Sequence, residues 1–316
     1  DKVVLITGAN AGIGKETARQ LLQFGATVIL ACRSEKRALQ AMHDLLPQTS
    51  SDDDEDDIAD AKKRMLFLEL DVSNLKSVRN AATKFKAMNL PLHVLINNAG
   101  IMMGTREESV DGYELTMACN HLGHFLFTTL LLDKLRESSG CGGGGGASRV
   151  VNVTSTTYTL AKGGIDLDDL LCERRSYSLF SQYAQSKLAN ILFSIELARK
   201  EQQRLSSPSS SSGKKITTAP IATYSVHPGL VRTDVVRNMP WYLKYPNMAF
   251  GFVLCVLQKT PQAGGYTSVY CAASDEVEGQ SGLYYVNSEV VALENFARDP
   301  LAASELWELS ETLVQK

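Results

Sequence analysis

An α/β fold with a doubly wound parallel sheet in three layers is what this sequence predicts, on three observations. Short, mostly apolar runs recur as strands buried on both faces do: Val3 to Ile6, Thr27 to Ala31, Met65 to Leu70, Leu92 to Ile96, Arg149 to Val153 and Ile221 to Val226. Longer helical stretches alternate with them. A glycine-rich turn after the first run completes a strand, turn, helix and strand within about thirty residues, a βαβ unit.

The 316 residues are read as one Rossmann-type domain, 1–316, with insertions near 48–62, 139–147 and 205–215 and a substrate lid near 234–262. With 44% hydrophobic and 21% charged residues, the composition is that of a soluble globular protein. A net charge of −3 and the lack of a dense basic stripe argue against a nucleic-acid partner. Six scattered cysteines, Cys32, Cys119, Cys141, Cys172, Cys255 and Cys271, suggest neither a metal site nor a disulfide framework. The expected setting is intracellular: cytoplasmic, or on the cytosolic or luminal face of an internal membrane. The most apolar stretch, Met248 to Leu257, falls well short of the ~20 residues a spanning helix needs. The chain begins at Asp1 without a Met, so a membrane-anchoring segment before it is compatible with this sequence. Nothing in it specifies an oligomer.

Taken in order, the first strand ends in Thr7-Gly8, and Gly12-Ile13-Gly14-Lys15 opens a helix that Gly25 stops after Phe24. Gly8, Gly12 and Gly14 are spaced G-x-x-x-G-x-G rather than G-x-G-x-x-G, but serve the same chemistry. Glycines let backbone approach a pyrophosphate, and the amides and dipole at a helix start favour negative charge. After the second strand, an NAD site is expected to carry an acid for the ribose 2′-hydroxyl. This chain has Ala31-Cys32-Arg33-Ser34 instead. A guanidinium without the carboxylate suits a 2′-phosphate, so NADP(H) is preferred over NAD(H), against the plainer reading of an arginine closing a strand.

Ser34 caps a helix over Glu35 to Leu46, and the acidic run Ser50 to Asp57 reads as a solvated insertion. The third strand ends in Asp71-Val72, whose carboxylate is placed to bond an adenine amino group. Ser73 is the expected N-cap of a helix over Leu75 to Met88. The fourth strand ends in Asn97-Asn98-Ala99-Gly100, small and amide-bearing residues suited to a flat ligand lying across a parallel sheet. Gly112 to Lys134 reads as a long helix with Asn120 inside it, a poor mid-helix residue unless its amide or a distorted backbone has a use.

Cys141 and Gly142 to Gly146 form a linker, and the fifth strand ends in Thr154-Ser155-Thr156-Thr157, a row of hydroxyls. After a loop from Leu160 to Phe180, a helix to Arg199 carries Tyr183 and Lys187, four apart and therefore on one face. Alone, the pair is an ordinary surface pair. Beside a cleft, an ammonium would lower the phenol's pKa and let it exchange a proton with an alcohol. Leu205 to Lys215 is a serine-rich insertion. The sixth strand runs into His227-Pro228-Gly229, with Thr233 close enough to reach the same edge. His227 is read as a packed structural histidine ahead of an acid/base group. Trp241 to Leu257 would form the lid, Thr260 to Ala273 a helix, and Gly282 to Val286 a final strand.

The segments Thr7 to Gly14, Asn97 to Gly100, Ser155, Tyr183/Lys187 and Pro228-Gly229 stand in the order found in the short-chain dehydrogenase/reductase family, which the chain resembles over nearly its whole length. Gly8 to Thr17, Ala31-Cys32-Arg33, Asn120 to Phe125 and Lys259-Thr260-Pro261-Gln262 resemble its retinol dehydrogenase-like branch more closely. The three insertions depart from the family but fall between core elements. The resemblance implies that Tyr183 gives or takes the proton, that Lys187 lowers its pKa and bonds the nicotinamide ribose, and that Ser155 holds the substrate oxygen. It also implies that Asn120 keeps a water-linked proton path to Lys187. The implied cofactor site comprises Gly8, Asn10, Gly12, Ile13, Gly14, Arg33, Ser34, Asp71, Val72, Asn97, Ala99, Gly100, Tyr183, Lys187, Pro228, Gly229, Val231 and Thr233.

The expected activity is hydride transfer between NADP(H) and a lipophilic alcohol or carbonyl, retinoid-like or a related lipid aldehyde or ketone. A nucleotide-sugar epimerase or dehydratase would be expected to carry G-x-x-G-x-x-G, which Gly8, Gly12 and Gly14 do not match. The other alternative is a regulatory protein that binds NADP(H) without turnover.

Overall fold

The computed structural model describes residues 2–47, 55–140, 146–206, 220–229 and 260–315. Eight strands form one sheet: β1 (Val3–Thr7), β2 (Thr27–Cys32), β3 (Met65–Glu69), β4 (Val94–Asn97), β5 (Arg149–Val153), β6 (Ala222–His227), β7 (Leu283–Val286) and β8 (Glu289–Val290). Their order is β3-β2-β1-β4-β5-β6-β7-β8, and every pair is parallel except β7 with β8. The parallel doubly wound sheet expected from the apolar runs is therefore present. Its helices are α1 (Gly12–Gln23), α2 (Glu35–Leu45), α3 (Glu55–Lys63), α4 (Leu75–Ala87), α5 (Leu115–Ser138), α6 (Leu179–Ser206), α7 (Pro261–Ala273) and α8 (Pro300–Gln315).

The three layers follow from the strand's two-residue period. Along β1, Val3 and Leu5 face one core, with Phe85 of α4, Phe125 of α5, Leu188 of α6 and Trp307 of α8. Val4 and Ile6 face the other, with Leu21 of α1, Ala38 of α2 and Val269 of α7. Because both faces are covered, β1 is apolar from Val3 to Ile6 rather than alternating, while β5 and β6 also bury polar residues such as Asn152, Thr223 and Ser225. By length and composition α5 could cross a membrane, yet 78% of its most apolar window is buried inside the fold, as in a core helix.

Several boundaries differ from the sequence reading, each for a local reason. The N-cap of α4 is Asn74, whose side chain accepts from Ser77 N at 3.1 Å; Ser73 is drawn away by Asp71, to which its hydroxyl donates at 2.6 Å. The long helix starts at Leu115, since Gly112 adopts φ +79° in a turn and Glu114 takes the cap position. Within it Ala118–Leu122 is a π-turn, the backbone distortion that Asn120 called for. Part of the acidic insertion is helical, as α3. The helix of Tyr183 and Lys187 continues to Ser206. The serine-rich insertion and the bulk of the lid lie outside the described residues.

Two elements went unread. The edge strand β8 is two residues long and pairs only with β7. Helix α8 buries Ala303, Leu306, Trp307, Ser310, Leu313 and Val314, a spacing of three and four that the sequence does carry, behind Pro300 at its first turn.

One glycine fixes how α5 sits. A Cβ at Gly123 would stand 1.9 Å from the carbonyl oxygen of Val72, so the helix can approach the turn after β3 only without a side chain there. Gly123→Ala is expected to cost about 1–3 kcal/mol through overpacking, measured as a lower Tm in thermal denaturation. An unchanged Tm would mean that the helix and the turn are not in contact.

Candidate active site

Parallel strands place their C-terminal ends along one edge, and the residues following β1, β4, β5 and β6 meet there. The glycine turn after β1 is tightly built. Gly8 has φ +67°, a region open to glycine, and a Cβ on it would lie 3.1 Å from Ala99. A Cβ on Gly14 would lie 2.4 Å from Asn98 Nδ2, which bonds Thr7 O at 2.8 Å. Gly12, also at positive φ, and Ile13 stay partly exposed on the turn. At the start of α1 Ala11 supplies no side-chain cap, whereas Ser34, Asn74, Glu114 and Thr260 cap their own helices. First-turn amides without a side-chain acceptor, beside backbone bare of Cβ atoms, fit a pyrophosphate.

Next to the turn lie two guanidinium groups. The Arg33 side chain is 72% exposed, with Nη1 3.7 Å from Asp71 Oδ2. Asp71 uses its other oxygen to accept from Ser73 N at 3.0 Å and Ser73 Oγ at 2.6 Å. Ser34 caps α2 by accepting from Arg37 N at 3.4 Å. Arg37 was missed in sequence because it sits inside a helix, one turn beyond Arg33. With the Asn10 amide turned so that its oxygen faces the guanidinium, it accepts from Arg37 Nε at 3.3 Å and Nη2 at 3.2 Å.

The polar group gathers around Lys187. Its side chain is 3% exposed, its Nζ donates to Val153 O at 3.2 Å and lies 5.4 Å from the centre of the Tyr183 ring. Gly100 covers it: a Cβ there would lie 3.5 Å from Lys187 Nζ and 3.4 Å from Asn120 Oδ1. Asn120 is fully buried, with Oδ1 accepting from Ile101 N at 2.8 Å and Nδ2 donating to Ile101 O at 2.9 Å and Ser186 Oγ at 3.0 Å. Ser186 Oγ in turn donates to Tyr183 O at 2.8 Å. Ser155 caps the short 3-10 turn Thr156–Leu160, accepting from Thr157 N at 3.2 Å, and is hydrogen-bonded to the Tyr183 side chain.

Burial governs the charges. Tyr183 is half-buried with its hydroxyl at the buried end; desolvation pushes its pKa up to about 12, and the Ser155 bond opposes this. The ammonium of Lys187 is pushed down to about 8 by burial, with Cys119 acting the other way. The sequence reading expects the lysine to lower the phenol's pKa. Here the direction is upward and burial is its main cause, with Ser155 rather than Lys187 acting against it, so the hydroxyl is protonated at neutral pH.

Other expected residues fall less centrally. Asn97 is 2% exposed, and its Nδ2 bonds Thr128 Oγ1 at 2.9 Å and Asn152 Oδ1 at 2.8 Å, supporting the edge from inside. Val72 is buried behind α5. Pro228 and Gly229, the latter at φ +90°, follow β6. Val231 and Thr233 lie outside the described residues. His227 is buried, and its Nδ1 accepts from Thr156 N at 3.3 Å, as a structural histidine would. Glu114 was also unread: fully buried, it accepts from Thr116 N at 2.8 Å, Met117 N at 2.7 Å and Gln182 Nε2 at 2.9 Å, the last one residue from Tyr183.

The family model described as short chain dehydrogenase matches residues 2–164, just over half of the chain. The chain belongs to the short-chain dehydrogenase/reductase family. Within this family it is 38% identical over 309 residues to human retinol dehydrogenase 11, covering 98% of this chain and 84% of that one. A mouse polyprenol dehydrogenase is 38% identical over 306 residues, covering 97% and 82%. The crystal structure of an uncharacterised protein from Mycobacterium paratuberculosis superposes with TM-score 0.72 at 30% identity, over 100% of this chain and 94% of that. Two more distant members of the fold, 18% and 21% identical, were solved with NADH and with NADPH. This short-chain dehydrogenase is thus an oxidoreductase of the retinol dehydrogenase-like branch.

Burying a cation costs stability in a pH-dependent way. Because Lys187 has a lower pKa folded than unfolded, the penalty is complete below about pH 8 and fades as pH rises toward 10.5. Lys187→Met is expected to raise stability at pH 7 by about 1–3 kcal/mol, the shift less a lost hydrogen bond, with the gain shrinking above pH 8. Chemical denaturation at pH 7 and pH 10 measures both; equal gains would refute the buried charge.

Proposed function

We propose that this protein interconverts a lipophilic alcohol and its aldehyde or ketone with NADP(H), retinoids and polyprenol-like lipids being the substrate class. The observation that carries it is the grouping of Ser155, Tyr183, Lys187 and Asn120 at the sheet edge beside the glycine cradle. The dinucleotide supplies or accepts the hydride at the carbonyl carbon.

The chain's own residues handle the proton. In reduction the substrate oxygen takes a hydrogen bond from Ser155 and the proton from Tyr183 Oη. The phenolate left behind faces the Lys187 ammonium across the ring, at 5.4 Å from its centre. Asn120, bonded to Ser186 on the Tyr183 helix, leads protons back toward Lys187. A phenol held near pKa 12 is protonated at neutral pH and so stands ready as the proton donor for the reduction half of the reaction, the same group serving as base in the reverse. The lipophilic substrate is supported by the names of the relatives, retinol and polyprenol dehydrogenases. Gly8, Gly12, Ile13 and Gly14 would hold the pyrophosphate, with Arg33, Arg37, Ser34 and Asn10 around a 2′-phosphate. Asp71 would meet the adenine, and Ala99, Gly100, Pro228, Gly229, Val231 and Thr233 the nicotinamide end, with Asn97 behind.

With NADPH and a panel of retinal, polyprenal and steroid carbonyls, purified protein should consume NADPH with at least one of them. Tyr183→Phe should slow this by a factor on the order of 10²–10⁴. Turnover should fall as pH rises through about 8, where Lys187 loses the charge that stabilises the phenolate. NADPH binding without turnover on any carbonyl would favour a regulatory protein instead, and full activity in Tyr183→Phe would remove the mechanism.

Cofactor choice has its own check. NADPH is expected to bind about tenfold or more tightly than NADH, a gap of ~1.4 kcal/mol. Replacing both Arg33 and Arg37 with Ala should erase it in a fluorescence titration. Equal affinities in the unmodified protein would overturn the preference.

A further inference from the structure

His124 has no place in the proposed chemistry, yet it stands between the two halves of the site. It is 2% exposed on α5, one turn after Asn120. Its Nε2 lies 2.8 Å from Thr7 Oγ1 and its Nδ1 3.1 Å from Asn120 O.

Valence decides which ring nitrogen carries the proton. A threonine hydroxyl has one proton to give and two lone pairs. Thr7 Oγ1 accepts from Asn98 N at 2.9 Å and Ala99 N at 2.9 Å, which occupies both lone pairs. Its own proton must then go to His124 Nε2. The imidazole consequently holds its hydrogen on Nδ1 and donates it to the Asn120 carbonyl. Burial, with Lys187 nearby, pushes the histidine down to about 4, so the ring stays neutral and keeps this single tautomer at neutral pH.

The bonds join into one path. Amides of the turn after β4 donate to Thr7 beside the glycine cradle, Thr7 donates to His124, and His124 donates to the π-turn carbonyl of Asn120. The Asn120 side chain continues to Ser186, and Ser186 to the backbone of Tyr183. A π-turn registers its carbonyls five residues on, as Gly123 N does to Ala118 O, and relaxing it to an α-turn would rotate Asn120.

We propose that His124 is a positioning residue that, through the Thr7–His124–Asn120 link, holds the π-turn of α5 in register with the dinucleotide turn and so keeps Asn120 aimed at Ser186 and the Tyr183 helix. The effect on turnover rests on the function proposed above; the tautomer does not.

Two measurements separate them. Long-range nitrogen–proton spectra of the histidine rings should report His124 as the Nδ1–H form, with that signature altered in Thr7→Val; an Nε2–H ring would overturn the link whatever the protein catalyses. With the correct tautomer but no turnover on any carbonyl, the functional reading fails and this one stands. In turnover, His124→Phe and Thr7→Val should each lower kcat about tenfold with NADPH affinity within about threefold. The double variant should be no slower than the slower single one, as expected of residues acting as a unit. His124→Gln, whose amide can accept from Thr7 and donate to Asn120, should recover most of the rate and covers the case in which the Phe variant fails to fold. Multiplicative losses in the double variant, or full kcat in His124→Phe, would refute the proposal.

Discussion

Seven strands running the same way impose the constraint on which the rest depends. Once β3 to β7 are parallel, their carboxyl ends share one edge, and every turn leaving that edge competes for the same small volume. Close approach is then unavoidable, and small residues stand where it is greatest. Gly8 lies against Ala99, Gly14 against Asn98, and Gly100 against Lys187 and Asn120. A side chain at Gly14 would collide with Asn98 and with the Gly8 carbonyl, and one at Gly8 would crowd Ala99.

That edge also explains the electrostatics. Crowded backbone excludes water, so an ammonium placed there loses hydration and is pushed down to about 8, while a phenol beside it is pushed up to about 12. The same desolvation makes the charged form of each costly: the ammonium bears that cost at neutral pH, whereas the phenol simply stays neutral. The fold tolerates this because Lys187 Nζ still reaches the Val153 carbonyl and the ring face of Tyr183. A stretch of the chain thus carries stability cost at the candidate site.

The supporting layer is polar and buried. Glu114 binds the start of α5 to Gln182, next to Tyr183, while Asn97 reaches Thr128 and Asn152 under the sheet. Such groups are costly where a partner is missing among the described residues, as at the buried Asn97 Oδ1, and where partners are in place, as around Glu114, they favour one arrangement. The order of these contacts, cradle to α5 to α6, gives rigid elements rather than loops the task of aiming the reacting groups.

The sequence by itself determined the parallel sheet, the glycine turn, and the spacing of Tyr183 and Lys187, because these are written in local periodicity and residue type. It also marked Asn120 as out of place in a helix, and the π-turn is why. It did not reveal α8, whose apolar positions are regular but follow a last strand that seemed to close the fold. Nor could it find Arg37, Glu114 or His124: each is an ordinary residue within or just before a helix until a partner distant in the chain, or across a turn, gives it a role. Thr7 and His124 are 117 residues apart, and only packing α5 against β1 makes one hydroxyl the choice-maker for the other's tautomer. Even the pKa direction of Tyr183 belonged to the tertiary structure, since helical spacing fixes who the neighbour is but burial fixes how much water remains between them.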